Sequence, residues 1–384
     1  MKKYLFGSAI ATLMLAACSD DQTVDAPASA NEISFRASVE NVSRANTEPG
    51  YPPSEFAVTA IGNDANFFSD LIINGSKAAP YKPVDGGIYH FPKYHLTFYG
   101  YTPVDFGGTA EINPESRKLT GVTVKSSPKD HVDLLVAEDS REALGSTTNT
   151  VNMKFKHAMS EVVVKVCSSN PAMKYEVAGV RLASVKSTAD FTYPELQNSD
   201  ELNIPASCWS SPTGPKTFQA DKSAFQFFGT NGSPNVFDAM LTDWNNTFKI
   251  IPQNLSRSGA WSGGASADGA YISIKCKMWV HDPTKGTDTQ FFPATGSKYG
   301  LAAVPLNLNF EPGKKYVITV DMAGGGRVDP NPGAVADSNI EPTPIPGKPG
   351  GTKIVTGNVS FTVDISNFSN GGNPSISPFP TYGY

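Results

Sequence analysis

The chain has 384 residues, a formal net charge of −5 and no basic block, so the electrostatic footprint of a nucleic-acid binder is missing. The length sets a prior of two domains. The 34 glycines and 30 prolines exceed their usual combined share of about 12 %. Both residues break helices, so the excess predicts many short strands joined by turns.

In chain order, Lys2 and Lys3 precede an apolar run from Tyr4 to Ala17, too short for a bilayer span of roughly 20 residues and patterned as a secretory signal. It ends in Leu15-Ala16-Ala17-Cys18, which resembles a bacterial lipobox, where small residues fit the signal peptidase cleft and the cysteine thiol is acylated. Residues 1–17 are expected to leave by cleavage between Ala17 and Cys18, with 18–31 as a lipidated tether. Losing Lys2 and Lys3 leaves 29 basic against 36 acidic residues, a balance of −7. The acidic pair Asp20 and Asp21 resembles a tag that sends lipoproteins to the outer surface, and reads equally as a solvated tether. No later apolar stretch approaches spanning length.

From Ile33 the apolar period is two. Ile33, Phe35, Ala37 and Val39 alternate with polar residues, which describes a strand with one buried face. Further strands are expected at Glu55–Ile61, Leu96–Tyr101, Gly121–Lys125, Val132–Ala137, Val151–His157, Val162–Cys167, Glu176–Leu182, Thr247–Ile251, Ile272–Val280, Lys315–Met322 and Asn358–Ile365. No window holds a period of 3.6. The chain is thus expected to be all-β, with two sandwiches at 32–148 and 149–384 divided near Arg141–Thr150.

Once Cys18 is assigned to the lipid, Cys167, Cys208 and Cys276 remain. Cys276 shares a face with Ile272, Ile274 and Met278, as a small buried hydrophobe would. Cys167 faces away from Val162, Val164 and Val166, which leaves a pair with Cys208 open. No C-x-x-C supports a zinc or redox site.

Residues 323–353 hold Gly324, Gly325 and Gly326, then Pro330, Pro332, Pro342, Pro344, Pro346 and Pro349. This composition predicts an extended, semi-rigid spacer without a core of its own. A clean amphipathic strand follows at 358–365, with Val359, Phe361, Val363 and Ile365 on one face. Either the spacer wraps across its own sandwich or it carries this strand to another molecule, with a reach of roughly 90 Å at about 3.1 Å per residue.

No catalytic constellation stands out. The five histidines form no H-E-x-x-H cluster, and His157 shares a face with Val151, Met153 and Phe155 as a core histidine would. There is no G-x-S-x-G elbow, phosphate loop or EF-hand loop, so no catalytic, metal or cofactor-binding residue is assigned. Tyr94, Tyr99, Tyr101, Trp209, Trp244 and Trp261 are candidates for a sugar-stacking platform, or for sandwich core and cover.

Several local patterns together resemble the fimbrillin family of Bacteroidetes, the subunits of type V pili and related surface lipoproteins. They are Ile33-Ser-Phe35 leading to Ser43-Arg44-Ala45, Leu96-Thr-Phe-Tyr-Gly-Tyr-Thr-Pro103, Asp133-Leu-Leu-Val-Ala137 and Phe155-Lys-His157-Ala-Met-Ser-Glu-Val162. Ile250-Ile-Pro-Gln253 and Pro312-Gly-Lys-Lys-Tyr316 complete the series, in family order. The resemblance implies two tandem transthyretin-like β-sandwiches and work in assembly and adhesion, without enzyme activity or cofactor. It implies protease cleavage at Arg44-Ala45, loss of the first strand (Ile33, Phe35, Ala37, Val39) and its replacement by a neighbour's strand through β-augmentation. Val359, Phe361, Val363 and Ile365 would be the donor face. The expected partners are other fimbrillin subunits, the outer membrane through the lipid on Cys18, and an adhesion ligand. The alternative is a surface glycan-binding lipoprotein.

Overall fold

The computed structural model describes residues 31–39, 52–141, 149–195, 202–240, 247–255, 269–357, 359–367 and 382–383. The chain is all-β, with short 3-10 turns between strands. The strands before residue 158 are β1 (Ser34–Val39), β2 (Glu55–Gly62), β3 (Ala65–Ser76), β4 (Ala79–Pro83), β5 (Leu96–Thr102), β6 (Thr109–Ile112), β7 (Arg117–Thr123), β8 (Leu135–Arg141) and β9 (Thr150–His157). There follow β10 (Ser160–Cys167), β11 (Met173–Thr192), β12 (Trp209–Phe228), β13 (Phe237–Asp238), β14 (Phe248–Ile250), β15 (Gln253–Asn254) and β16 (Tyr271–Asp282). The last are β17 (Thr287–Phe292), β18 (Gly300–Pro305), β19 (Asn309–Phe310), β20 (Lys314–Asp321), β21 (Arg327–Val328), β22 (Ser360–Asn367) and β23 (Tyr382–Gly383).

Seven strands close a barrel in the order β1-β4-β3-β2-β5-β8-β9, in place of the expected sandwich. Closure depends on β1, which runs parallel to β9 on one side and antiparallel to β4 on the other. The period-two faces fill its interior: Phe35, Phe56, Val58, Phe98, Val151, Met153 and Phe155 form one buried cluster.

Beyond residue 158, besides a small pair of β15 with β19, the strands fall into two large sheets, one of which also takes in β6 and β7. The smaller orders β13-β10-β20-β22-β23, with β14 also on β10. The larger orders β21-β18-β16-β11-β7-β6, with β12 on β11 and β17 on β16. Val162, Val164, Ile318 and Phe361 from the first and Val177, Val180, Ile272 and Ile274 from the second share one core. That core also takes in Ala57, Tyr99, Tyr101 and Val136 of the barrel strands, so the two halves meet along a packed seam.

The sheets do not follow the expected division at 148/149. Strand β9 pairs with β8 and β1 in the barrel, whereas β6 and β7 pair into the sheet of β11. The 20-residue β11 makes this possible, because its bulges at Val177/Gly179, Leu182/Val185 and Thr188/Asp190 let one strand serve three partners. Strand β12 escapes a period-two reading because both faces are mostly open along Ser210–Lys216, with Pro212 and Pro215 where only an edge tolerates them. Cys167, Cys208 and Cys276 are free, buried thiols. Burial pushes the Cys208 thiol up to about 11 and that of Cys167 to about 12, where Asp321 adds to the effect, so both behave as small hydrophobes.

Candidate functional site

The first strand occupies a seat built from both flanks. Ile33, Phe35 and Val39 are buried and Ala37 is half-buried, while Arg36 and Ser38 are exposed. The Phe35 ring meets Phe56 and Phe98 edge-on at centroid distances of 6.3 and 6.2 Å. Backbone pairing with β9 runs unbroken from Ser34↔Thr150 to Val39↔Phe155. Taking β1 out would free the facing edges of β4 and β9 and open a slot lined by Tyr81, Phe98, Met153 and Phe155. Free edges over an apolar slot are the situation in which a strand from another chain binds.

The second amphipathic strand lies in a different sheet. β22 pairs antiparallel with β20 from Lys314↔Asn367 to Asp321↔Ser360. Val359, Phe361 and Val363 are buried, but Ile365 is 38 % exposed. Three of its four apolar positions are therefore satisfied in place. The structure does not bring β1 and β22 together. Ala17, Cys18, Arg44 and Ala45 lie outside the described residues.

The stretch expected as a spacer does not hang free. Asp321 and Ser360 are direct cross-strand partners, so a tight turn would suffice to join them. Instead the 38 residues between them cross to the larger sheet, lie on its outer face and return. Gly325 and Gly326, at φ 68° and 76°, make the exit turn in a conformation that glycine adopts without strain. β21 then pairs with β18, and Gly350 passes so close to Pro330 that a Cβ would stand 2.5 Å from its Cα.

Polar groups from the sheet secure this strap. Fully buried Arg181 donates to the carbonyls of Pro332 (2.7 Å) and Val335 (2.9 Å) and to Gln219 Oε1 (2.7 Å). Asp329 accepts from Ser273 (2.5 Å), Tyr271 (3.2 Å) and the Asn331 amide (2.7 Å). Lys275 bridges to Asp337 at 2.6 Å. Burial lowers the Arg181 pKa against the opposing charges of Asp329 and Asp337, so the guanidinium is costly to hold and its hydrogen bonds carry the compensation.

Two buried titratable groups, one at the seam between barrel and sandwich and one within the sandwich, are pushed in opposite directions. Tyr193 donates to the Gly100 carbonyl at 2.7 Å across it. Burial pushes the nearby Glu138 carboxyl up to about 7, against the charge of Arg117 and a hydrogen bond with Tyr99. Elsewhere in the sandwich, burial pushes His131 down to about 4. The native state holds the Glu138 proton more tightly than the unfolded chain, so its contribution to stability falls as pH rises from 4.5 to about 7. His131 binds its proton less tightly when folded, so its contribution rises between about 4 and 6.5. The two slopes oppose each other. Glu138→Gln is therefore expected to gain on the parent between about pH 5 and about pH 8, by on the order of 2 kcal/mol. Parallel denaturation curves check this, and a variant that tracks the parent at both pH values would refute it.

Among the described residues no group of three or more His, Cys, Asp or Glu side chains is placed to hold a metal ion. His157 is buried, with Nδ1 2.5 Å from Asp133. Beside it a cavity of about 460 Å³ is lined by Lys156, Leu202, Glu311, Lys314 and Asn367. Of the aromatic residues considered for sugar stacking, Tyr99, Tyr101 and Trp209 are buried, Tyr94 is exposed, and Trp244 and Trp261 lie outside the described residues. No helix of the described residues is long and apolar enough to cross a membrane.

A family model described as fimbrillin-like matches residues 54–342. No curated protein matches. Among solved structures the chain is similar to a fimbrial protein from Bacteroides vulgatus, with 12 % identity and a TM-score of 0.47 over 76 % of this chain and 94 % of that one. It is also similar to a candidate cell adhesion protein from Parabacteroides distasonis, with 10 % identity and a TM-score of 0.47 over 88 % and 100 %. The fimbrial anchor protein Mfa2 from Porphyromonas gingivalis aligns at 11 % identity with a TM-score of 0.30, over 76 % and 90 %.

Proposed function

The chain belongs to the fimbrillin-like family, and from that premise we propose that it is a cell-surface subunit that assembles with other fimbrillin-like subunits in a fimbria or adhesive array. The reading assigns it no catalytic step and no cofactor. Export would proceed through the signal ending at Ala17, with Cys18 lipidated at the outer membrane. Cleavage at Arg44-Ala45 would then release lipid and β1 together, and β22 of a neighbouring subunit would enter the vacated slot. Residues 32–148 and 149–384 are treated as two units, with β9 and β6–β7 crossing between them.

One observation carries this reading. Ile33-Ser34-Phe35-Arg36-Ala37-Ser38-Val39 and Val359-Ser360-Phe361-Thr362-Val363-Asp364-Ile365 place apolar groups at the same four positions, with serine second and phenylalanine third in both. One face of a strand is read in steps of two residues, so either sequence suits the same row of pockets. The match is also incomplete where it counts. Ile365 stays 38 % exposed beside β20, whereas Val39 at the corresponding position of the barrel is 6 % exposed. Exchange would bury a side chain that the single chain leaves in water, a favourable step at about 25 cal/mol per Å².

The reading is tested by sequencing the N-terminus of the protein recovered from cells and measuring the size of the same material. Ala45 at the N-terminus of high-mass polymer is the expected result. Lipidated Cys18 on monomer alone would overturn the processed-subunit reading.

A further inference from the structure

We propose that the uncovered part of the larger sheet's outer face is a binding site for a neutral, hydroxyl-rich polysaccharide. The strap covers this face over Arg181, Tyr271 and Ser273, and it borders the open part where Asp337 meets Lys275 and where Asn339 to Glu341 pair with Tyr299. Beyond that point the face is a flat platform. Lys174 of β11 is in register with Phe228 of β12 on one side and Trp279 of β16 on the other. Its Nζ stands 5.5 and 5.6 Å from the two ring centroids. Phe228 is 48 % exposed, a large apolar ring only partly covered by Lys174 and by the His281 ring, which meets it edge-on at 4.9 Å.

The next row is polar. Glu176 lies between Gln226 and Lys277 in register, and it accepts from Gln226 at 2.7 Å, Lys277 at 3.0 Å and the Tyr299 hydroxyl at 2.8 Å. The platform runs on into a groove of about 530 Å³ lined by Gln219, Asp221, Lys222, Lys275, Tyr299 and Asn339. Aromatic rings, amides and ion pairs are thus laid out in a line rather than around a closed pocket, which fits a chain more than a single small molecule.

The charges select the ligand class. Lys174 is paired with Asp288 at 2.8 Å, Lys277 with Glu176 at 3.0 Å, and Lys275 with Asp221 at 2.9 Å and Asp337 at 2.6 Å. With Lys222, which lines the groove, four lysines face these four carboxylates, so the surface offers no net attraction to an ionic polymer. It does offer ring faces for the C–H side of a pyranose and amide and carboxylate atoms for its hydroxyls. This site is independent of strand exchange, since neither β1 nor β22 contributes to it.

Affinity electrophoresis of the full chain through native gels containing mannan, galactan, mixed-linkage β-glucan or polygalacturonate tests the assignment. Retardation by at least one neutral polysaccharide is expected, weakened at least about tenfold in the double variant Phe228→Ala with Trp279→Ala. Gln226→Ala, at an exposed amide outside the core, should weaken retardation with an unchanged melting temperature, and it keeps the test decisive if the double variant fails to fold. Passage through every neutral gel without retardation, equal retardation of the variants, or retention by polygalacturonate alone would overturn the proposal. So would concentration-dependent self-association lost in the same variants without glycan retention, which would make the platform a contact between copies.

Discussion

Ile365→Asp should leave the monomer folded and stop polymer growth. On β22 the side chain at 365 is 38 % exposed, so a carboxylate there stays in contact with water. Exposed substitutions of this kind usually stay within about 0.5 kcal/mol. In the slot that β1 would vacate, the same side chain takes the place of Val39, which is 6 % exposed among apolar neighbours. An unpaired carboxylate in that position costs several kcal/mol, which lowers the association constant by about two orders of magnitude or more. Light scattering of chain cleaved after Arg44, run beside a thermal melt of the uncleaved chain, reads both quantities. Polymer growth equal to that of the parent would exclude β22 as the inserting strand. Phe361→Asp with Val363→Asp should also block growth, but both side chains are buried within the single chain, so only Ile365 separates assembly from folding.

Arg181→Ala should cost about 3–5 kcal/mol of stability, the range for removing one partner from a buried charged network. The loss leaves the Pro332 and Val335 carbonyls and Gln219 Oε1 without this donor, and it leaves Asp329 without its nearby positive charge. Lysine is not a conservative replacement, because one ammonium cannot reproduce the planar fork that meets three acceptors. The strap should become the first site of cleavage in limited proteolysis, between about residues 330 and 350, while the barrel stays protected. Denaturant titration with mass spectrometry of the fragments checks both effects. A loss below about 1 kcal/mol, with the strap still protected, would show that β21 and the Asp329 bonds hold it unaided.

The two effects are linked through the route of the chain. β22 is joined to β20 by the strap, and the strap is bound to the opposite sheet by buried polar contacts. Release of the strap is therefore the physical step that would let β22 travel. Arg181→Ala chain cleaved after Arg44 should accordingly exchange strands faster than the parent, although it is less stable.

The strands that bury one face are legible in the amino-acid order alone. Ile33–Val39 and Val359–Val363 alternate and turn the expected side inward, whereas Val162–Cys167 and most of Ile272–Val280 are strands buried on both faces. The strap reads as an extended spacer, wrapped on its own sandwich or reaching to another molecule, because its own residues are too small and polar to form a core. What fastens it is supplied by Arg181, Ser273 and Lys275, which on their own strands read as an ordinary solvent face. Phe228 and Trp279 escape a sequence reading for a related reason. They lie 51 residues apart in sequence and become neighbours only through the register of β11.

Side-chain alternation is a local property of the extended backbone, and it decided which residues face inward and which two segments could fill the same row of pockets. Tertiary structure alone decided that β1 closes a barrel against β9, more than a hundred residues away, that the glycine- and proline-rich stretch is a strap fastened to the larger sheet, and that Ile365 is partly left in water. Those outcomes depend on which distant groups replace solvent around a given backbone, and no local period records that.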